Sequence, residues 1–373
     1  MFKYIAALFL FLNTTLLWAA QRHILVLHSY DMSYAWTQKL QEGITEAFTE
    51  LPNDFDVHVE YMDSRRYRTN EYDDEVSVWF KKKYKDIKFF AVLTADDDAF
   101  NFFIRYSPTL FQNIPLFFCG KGIFDESILK THKAPIRGVM EYMDMVSNLK
   151  MASRLHGTNK AYFISDASTT GIVQEAKWKK EFSNYAPEID VTYLSMKDFS
   201  HGELLDHIRQ LDSGFIVLNV IGQDKNGVIV DNLRSTDRIT EVSKIPVYAE
   251  SSIRLGHGVI GGKVKDGVIH GKSIAAKLVK YARGVDLLPY IDPVDENLII
   301  FDYKILEKFH ISLSDLPAGA IVINRPVGAY AEYKYWIWGF VLLIFIMVLI
   351  IGFQSYRMNT RKIFPSATPH LSC

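Results

Sequence analysis

Between His23 and Phe118 the chain alternates short apolar runs with stretches of helical spacing. This alternation constrains the fold more than any other feature of the sequence. "HILVLH" (23–28), "DVHVEY" (56–61), "FFAVLT" (89–94) and "IPLFF" (114–118) are mostly continuous in apolar character. Strands of that kind are covered on both faces, as in a parallel sheet. "AWTQKLQEGITEAFTE", "NEYDDEVSVWFKKKY" and "DDDAFNFFIRYSPTLF" lie between them with helical spacing. The order is βαβαβαβ, which predicts a doubly wound α/β fold.

The same grammar restarts after "GVMEYMDM". Strands are predicted at "AYFIS" (161–165), "DVTYLS" (190–195), "FIVLNV" (215–220) and "IPVYAE" (245–250), separated by helical stretches. Two lobes of similar size follow, the first about 21–140 and the second about 141–265. A return segment, 266–330, carries "GKSIAAKLVKYARG", "NLIIFDYKILEKF" and a closing strand "AIVINRP" (320–326). Crossovers of this kind leave a cleft between lobes. With 373 residues, 49% apolar content and a net charge of −1, the chain supports such cores and suggests no nucleic-acid partner.

The two ends differ from this body. "MFKYIAALFLFLNTTLLWAA" (1–20) has a positive start at Lys3, an apolar stretch and small residues at Ala19 and Ala20, the pattern of a secretory signal. An uncleaved N-terminal anchor is the alternative, because Leu17 or Trp18 stands where a small residue is preferred. "YWIWGFVLLIFIMVLIIGF" (Tyr335–Phe353) is uncharged and long enough to span a bilayer, which sets a membrane helix at 335–354. Arg357, Arg361 and Lys362 follow it, so the positive-inside rule places the tail, 355–373, in the cytoplasm. Residues 21–330 are then periplasmic, and the protein is expected in the inner membrane. Cys119 and Cys373 fall on opposite sides on that topology and cannot pair within one chain.

In open parallel sheets, ligands gather at the carboxyl ends of strands. The strands predicted here are followed by "HSYDMSYAW", "TADDD", "CGKG", "SDASTTG", "NVIGQDKNG" and "AESS", all suited to a small polar molecule. Each has a plainer reading. The run Asp96–Asp98 and the Ser165–Thr170 stretch both suit helix caps. Trp36 and Tyr30 suit packing as well as ligand stacking. Cys119 suits an inert buried thiol, and Asp224 and Glu250 suit ordinary loop charges. A hard cation on Asp96–Asp98 with His28 is disfavoured, since adjacent carboxylates at a helix start diverge. "GHGVIG" (256–261) matches a dinucleotide fingerprint in letters only, because it reads as a turn entering a strand. No phosphate-loop, nucleophile-elbow or zincin motif occurs. No catalytic residue, metal or cofactor is expected.

"ILVLHSYDMSYAWTQKLQEGI", "VLTADDDAFNFF" with "FQNIPLFFCGKG", "LNVIGQDKNG" and "LGHGVIGGKVKDGVIHGKSIAAKLVKYARG" together resemble the ABC-transporter substrate-binding-like sensor domains of bacterial histidine kinases and diguanylate cyclases. The likeness covers about Ile24 to Pro326. It implies a type I periplasmic-binding-protein fold whose two lobes close on a small, amino-acid-like ligand. It also implies a ligand set of Ser29, Tyr30, Asp96, Asp97, Cys119 and Gly120 from the first lobe, to which the stacking reading of the residues adds Trp36. The second lobe would add Asp166, Thr169, Asn219, Asp224 and Glu250. Sensors of this kind continue into a long cytoplasmic output domain, whereas "RMNTRKIFPSATPHLSC" carries no periodicity for one. Signalling is then expected through a partner histidine kinase or diguanylate cyclase, unless the gene is truncated. A tethered component of an ABC transporter, with a permease partner, is the alternative. An extracytoplasmic hydrolase or metal-dependent enzyme ranks below both.

Overall fold

A computed structural model describes residues 21–49, 51, 54–67, 69–285, 290–292, 297–326 and 329–363. The predicted signal segment and the end of the tail, with Cys373, lie outside the described residues.

The first sheet runs β2 (Phe55–Tyr61), β1 (Arg22–His28), β3 (Phe89–Ala95), β4 (Leu116–Lys121), β5 (Ile136–Met140) and β11 (Ile291–Asp292), all parallel. Helices cover both faces because adjacent strand residues are apolar on both. Ile24 and Val26 pack under α1 (Ala35–Thr49) and α9 (Gly267–Ala282), against Trp36, Leu40, Ile274 and Leu278. Leu25 and Leu27 face the other way, toward Phe80 of α2 (Asn70–Lys83) and Phe100 and Phe103 of α3 (Asp96–Tyr106).

The second sheet runs β7 (Asp190–Ser195), β6 (Lys160–Ser165), β8 (Phe215–Leu218), β9 (Val247–Tyr248), β10 (Gly261–Val264), β12 (Leu298–Asp302) and β13 (Ile321–Ile323). It is parallel except where β12 pairs antiparallel with β10. Met145 and Leu149 of α5 (Met145–His156) and Trp178 and Phe182 of α6 (Thr169–Tyr185) cover Ala161 and Phe163. Leu204 and Ile208 of α7 (His201–Arg209) and Ile239 of α8 (Asn232–Val242) cover Tyr162 and Ile164. Short helix α4 (Ser127–Thr131) adds Ile128 to the first sheet's core, and short helix α10 (Tyr303–Lys308) adds Leu306 to the second's.

The predicted α/β class and parallel strand order are what the structure shows. Some boundaries move. The fourth strand starts directly after "IP", two residues later than expected, and takes in Cys119 and Gly120, which were expected just beyond it. "IPVYAE" contributes only a two-residue strand, and "IRGVM" forms a strand that the pattern did not announce. "GHGVIG" enters β10 from a turn, as read, with no helix behind it to receive a pyrophosphate.

The chain passes between the sheets three times: after β5, after β10 and between β11 and β12. The second passage brings α9 onto α1 of the first sheet, and glycines set how close the helices come. A Cβ on Gly43 would lie 2.0 Å from the Val268 carbonyl oxygen, and one on Gly271 would lie 2.2 Å from that of Leu40. Only hydrogen fits at either point.

Residues Asn324–Cys373 form a separate unit. Within it, α11 (Ala329–Ile363) carries an apolar stretch inside Glu332–Met358 that is long enough to cross a membrane.

Gly271→Val should therefore lower the melting temperature, by overpacking worth about 1–3 kcal/mol. Gly202→Ala, whose Cβ meets nothing within 4 Å, is the helical control and should not. Thermal denaturation of both variants followed by circular dichroism is the measurement.

Candidate ligand-binding cleft

Asp96 stands where β3 gives way to α3, and its backbone is left-handed at φ 69°. A non-glycine residue in that region stores roughly 1–3 kcal/mol of strain, which persists only when its surroundings hold it. They do here. The Trp36 indole N–H donates to Asp96 Oδ1 at 3.0 Å. Gly120, itself at φ 73°, leaves the room that the carboxylate occupies, since a Cβ there would lie 2.5 Å from Oδ1. The second oxygen, Oδ2, is buried and has no hydrogen-bond partner among the described residues.

Asp96 is not the helix cap that its position suggested. The Ser29 hydroxyl, from the end of β1, donates to the Ala95 carbonyl at 2.7 Å and accepts from the Ala99 amide at 2.8 Å. Ser29 is wholly buried and fixes this helix start from a neighbouring strand. With capping handled elsewhere, the strained carboxylate is left available for other chemistry. Asp97 pairs with Lys121 at 2.5 Å, and Asp98 accepts from the Ser64 hydroxyl at 2.6 Å. The three acidic residues diverge, as a helix start requires. His28 is buried, bonded to Gln41 at 2.8 Å and stacked on Tyr61; burial pushes its imidazole down to about 4.

Three residues around Asp96 were not picked out from the sequence: Glu141, Lys265 and His270. Glu141 follows β5 and Lys265 follows β10, so each stands on a passage between the sheets. Their side chains form a partly buried ion pair across a sequence separation of 124 residues. The Lys265 ammonium also lies 4.6 Å from the centre of the Trp36 ring, within cation–π range, and the His270 ring centre lies 6.0 Å from that of Trp36. Burial pushes Lys265 down, but the Glu141 charge, with Glu250 and Tyr34, outweighs it and holds the ammonium above its usual range. Burial and then the Glu141 charge push the Asp96 carboxyl well up, against the Trp36 bond and Lys265. Tyr30 packs edge-on to Tyr34 at 5.4 Å, and burial followed by the Asp96 charge raises its phenol well above normal.

Cys119 is fully buried in the first core, and burial with the Asp96 charge pushes its thiol up, away from nucleophilic chemistry. In the second sheet, Glu250 receives both the 3.2 Å and 2.9 Å bonds of the Arg254 Nε–H. Arg254 is fully buried; it also donates to the Asn219 carbonyl at 2.8 Å and to Thr236. The Asn219 side-chain amide is buried with neither atom partnered among the described residues. Asp224 organises its own loop, accepting from the Asn226 and Val228 amides at 2.9 and 3.1 Å. Asp166 Oδ1 accepts from Ser168, and Ser168 caps α6 through the Gly171 amide at 3.0 Å. Thr169 is the first residue of that helix.

The structure thus brings Tyr30, Trp36, Asp96 and Gly120 together around Lys265 and Glu141. Ser29, Asp97, Cys119, Asp166, Asp224 and Glu250 are engaged in local structure. Asn219 keeps free hydrogen-bonding capacity. Among the described residues Glu141 pairs with Lys265, Asp97 with Lys121 and Glu250 with Arg254, whereas Asp96 has no cation bonded to it.

A raised carboxyl pKa has a definite consequence for stability. Below the unfolded value the group is protonated in both states and costs nothing; as pH rises through the raised folded value, stability is lost. Asp96→Asn should therefore flatten the fall of melting temperature between mildly acidic and neutral pH, and melt no lower than the native protein at neutral pH. Melting curves across that range are the check.

No family model matches the chain, and no curated protein matches it. Solved structures do. A ligand-free, open substrate-binding protein with adhesive properties from Clostridium difficile superposes with a TM-score of 0.57 at 13% identity, over 82% of this chain and 100% of that one. The ABC domain from Streptococcus pneumonia in complex with L-Trp gives 0.55 at 14% identity, with the same coverage. A conserved domain protein from Vibrio cholerae gives 0.53 at 10% identity, over 81% of this chain and 99% of that one. Likeness at such identities speaks to fold alone, and the fold it shows is the two-sheet, parallel-rich α/β architecture of periplasmic binding proteins.

Proposed function

We propose that this chain is a membrane-anchored, extracytoplasmic small-molecule-binding module that closes on an amino-acid-like ligand and signals through a partner. The observation that carries the ligand reading is the buried Oδ2 of Asp96, without a partner among the described residues and close to the Glu141 charge. A ligand ammonium supplies the missing counter-charge and lets the carboxylate ionise. The Trp36 and Tyr30 rings give an apolar wall beside it, and the Asn219 amide offers a donor and an acceptor from the second lobe. The solved relative that carries L-Trp supports a ligand of this class. Among the described residues Cys119 is buried with its thiol pushed up, and the solved structures of similar fold include substrate-binding proteins, which supports binding over catalysis.

Signalling enters from the resemblance to sensor domains and from α11, whose apolar stretch and trailing arginines suit a single membrane span with the tail inside. A ligand that touches both lobes binds the closed form better and shifts the population toward it. Closure then changes the path of the chain through the three passages between the sheets.

The ligand reading is tested on the full chain in detergent. Mass spectrometry of the denatured protein identifies what co-purifies, and calorimetry measures its binding. Asp96→Asn removes a charge-assisted bond worth about 1.5–3 kcal/mol, so affinity should fall roughly ten- to hundredfold. Unchanged affinity overturns the assignment of Asp96. Ligand recovered together with a permease instead of a kinase or cyclase would favour the tethered transporter component.

Topology makes a separate expectation. Protease added to intact spheroplasts should digest residues 21–330 and spare a tag at the C-terminus; the reverse pattern would refute the anchoring.

A further inference from the structure

At the opposite end of the first sheet from Asp96, three side chains converge that have no part in the cleft. His23 is the second residue of β1, and Asp56, directly in register with it, is the second residue of β2. His58, two residues along, lies on the same strand face as Asp56. His23 Nδ1 is 2.9 Å from Asp56 Oδ2, His58 Nε2 is 3.3 Å from the same oxygen, and the two ring nitrogens are 3.2 Å apart.

With Asp56 ionised, protons on the rings cannot satisfy this triangle. A carboxylate oxygen accepts only, so both nitrogens must carry hydrogen to bond to it; two N–H groups then face each other. If one nitrogen is bare, its lone pair faces the carboxylate. Each ring tautomer then leaves one of the three contacts repulsive.

A cation removes the conflict, because all three atoms then present lone pairs to it. Zinc takes histidine nitrogen and carboxylate oxygen at about 2.0–2.2 Å. An ion at that distance from all three corners of a triangle with these sides stands roughly 1 Å out of its plane, as in a tetrahedral site with one open position. The donors are also held in place. The His58 ring is fixed edge-on by Tyr84 and Phe89, each with ring centres 5.6 Å away. The side chains are 37% (His23), 22% (His58) and 43% (Asp56) exposed, so water can reach the fourth position. We propose that His23, Asp56 and His58 form a divalent transition-metal site. Two imidazoles with one carboxylate suit Zn2+ and its neighbours rather than Ca2+ or Mg2+, which take oxygen donors.

A metal held there ties β1 to the edge strand β2. The test is Zn2+ titration of chelator-stripped full-length protein in detergent against a chromophoric chelator. It is run beside His23→Gln and His58→Gln, with folding checked by circular dichroism. The native protein should hold one equivalent that both variants hold at least about tenfold more weakly, since even supporting partners of metal ligands are worth about 10–100-fold. Co2+ in place of Zn2+ should give a visible absorption band that both variants lose. Should His58→Gln fail to fold, the more exposed His23→Gln decides alone. Equal affinity in native and variant proteins, or no tight Zn2+ uptake by the native protein, overturns the site.

Discussion

Backbone meets backbone where the helix Gly267–Ala282 lies on Ala35–Thr49, and much of the molecule depends on that contact. Gly43 and Gly271 let carbonyl groups of the facing helix come to distances that any side chain would forbid. Dispersion over so close an approach is strong, and no rotamer entropy is lost at the contact points. The contact returns the chain to the first lobe after it has built most of the second. It also seats Trp36, on the same helix as Gly43, over Asp96.

Electrostatics at the cleft follow from that seating. Trp36 offers its N–H to Asp96 and its face to Lys265, so one side chain touches both a carboxyl and an ammonium. The ammonium is already paired with Glu141, and the carboxyl is left without full compensation. A buried ionisable group in this state is costly to the empty protein and favourable to whatever completes it.

Much of the fold was legible because both faces of the central strands are buried, which writes continuous apolar runs into the sequence. Arg137 and Gly138 interrupt that signature in β5, so that strand was hidden. The ends of strands pointed to Tyr30, Trp36, Asp96 and Gly120, and these four do lie close together. Glu141 and Lys265 were not legible: they are 124 residues apart, and only the topology of the passages makes them neighbours. Ser29 as the cap of a helix 70 residues away was hidden for the same reason, and it left the acidic run looking like its own cap. The triangle of His23, Asp56 and His58 likewise needs the pairing of β1 with β2, which no local pattern specifies.

Three passages of chain join the two sheets, and they are tied to one another as well as to the lobes. Glu141 holds Lys265, Asp144 holds Lys263 at 2.8 Å, and the Asn297 amide donates to the Tyr142 carbonyl at 2.9 Å. Two bodies linked by a single strand can twist, slide and bend. Two bodies linked by three cross-braced strands keep only the bend as a soft coordinate. Relative motion of the two sheets is thereby channelled into one angle, and the three passages, whose braces join residues more than a hundred positions apart in sequence, bend together or not at all.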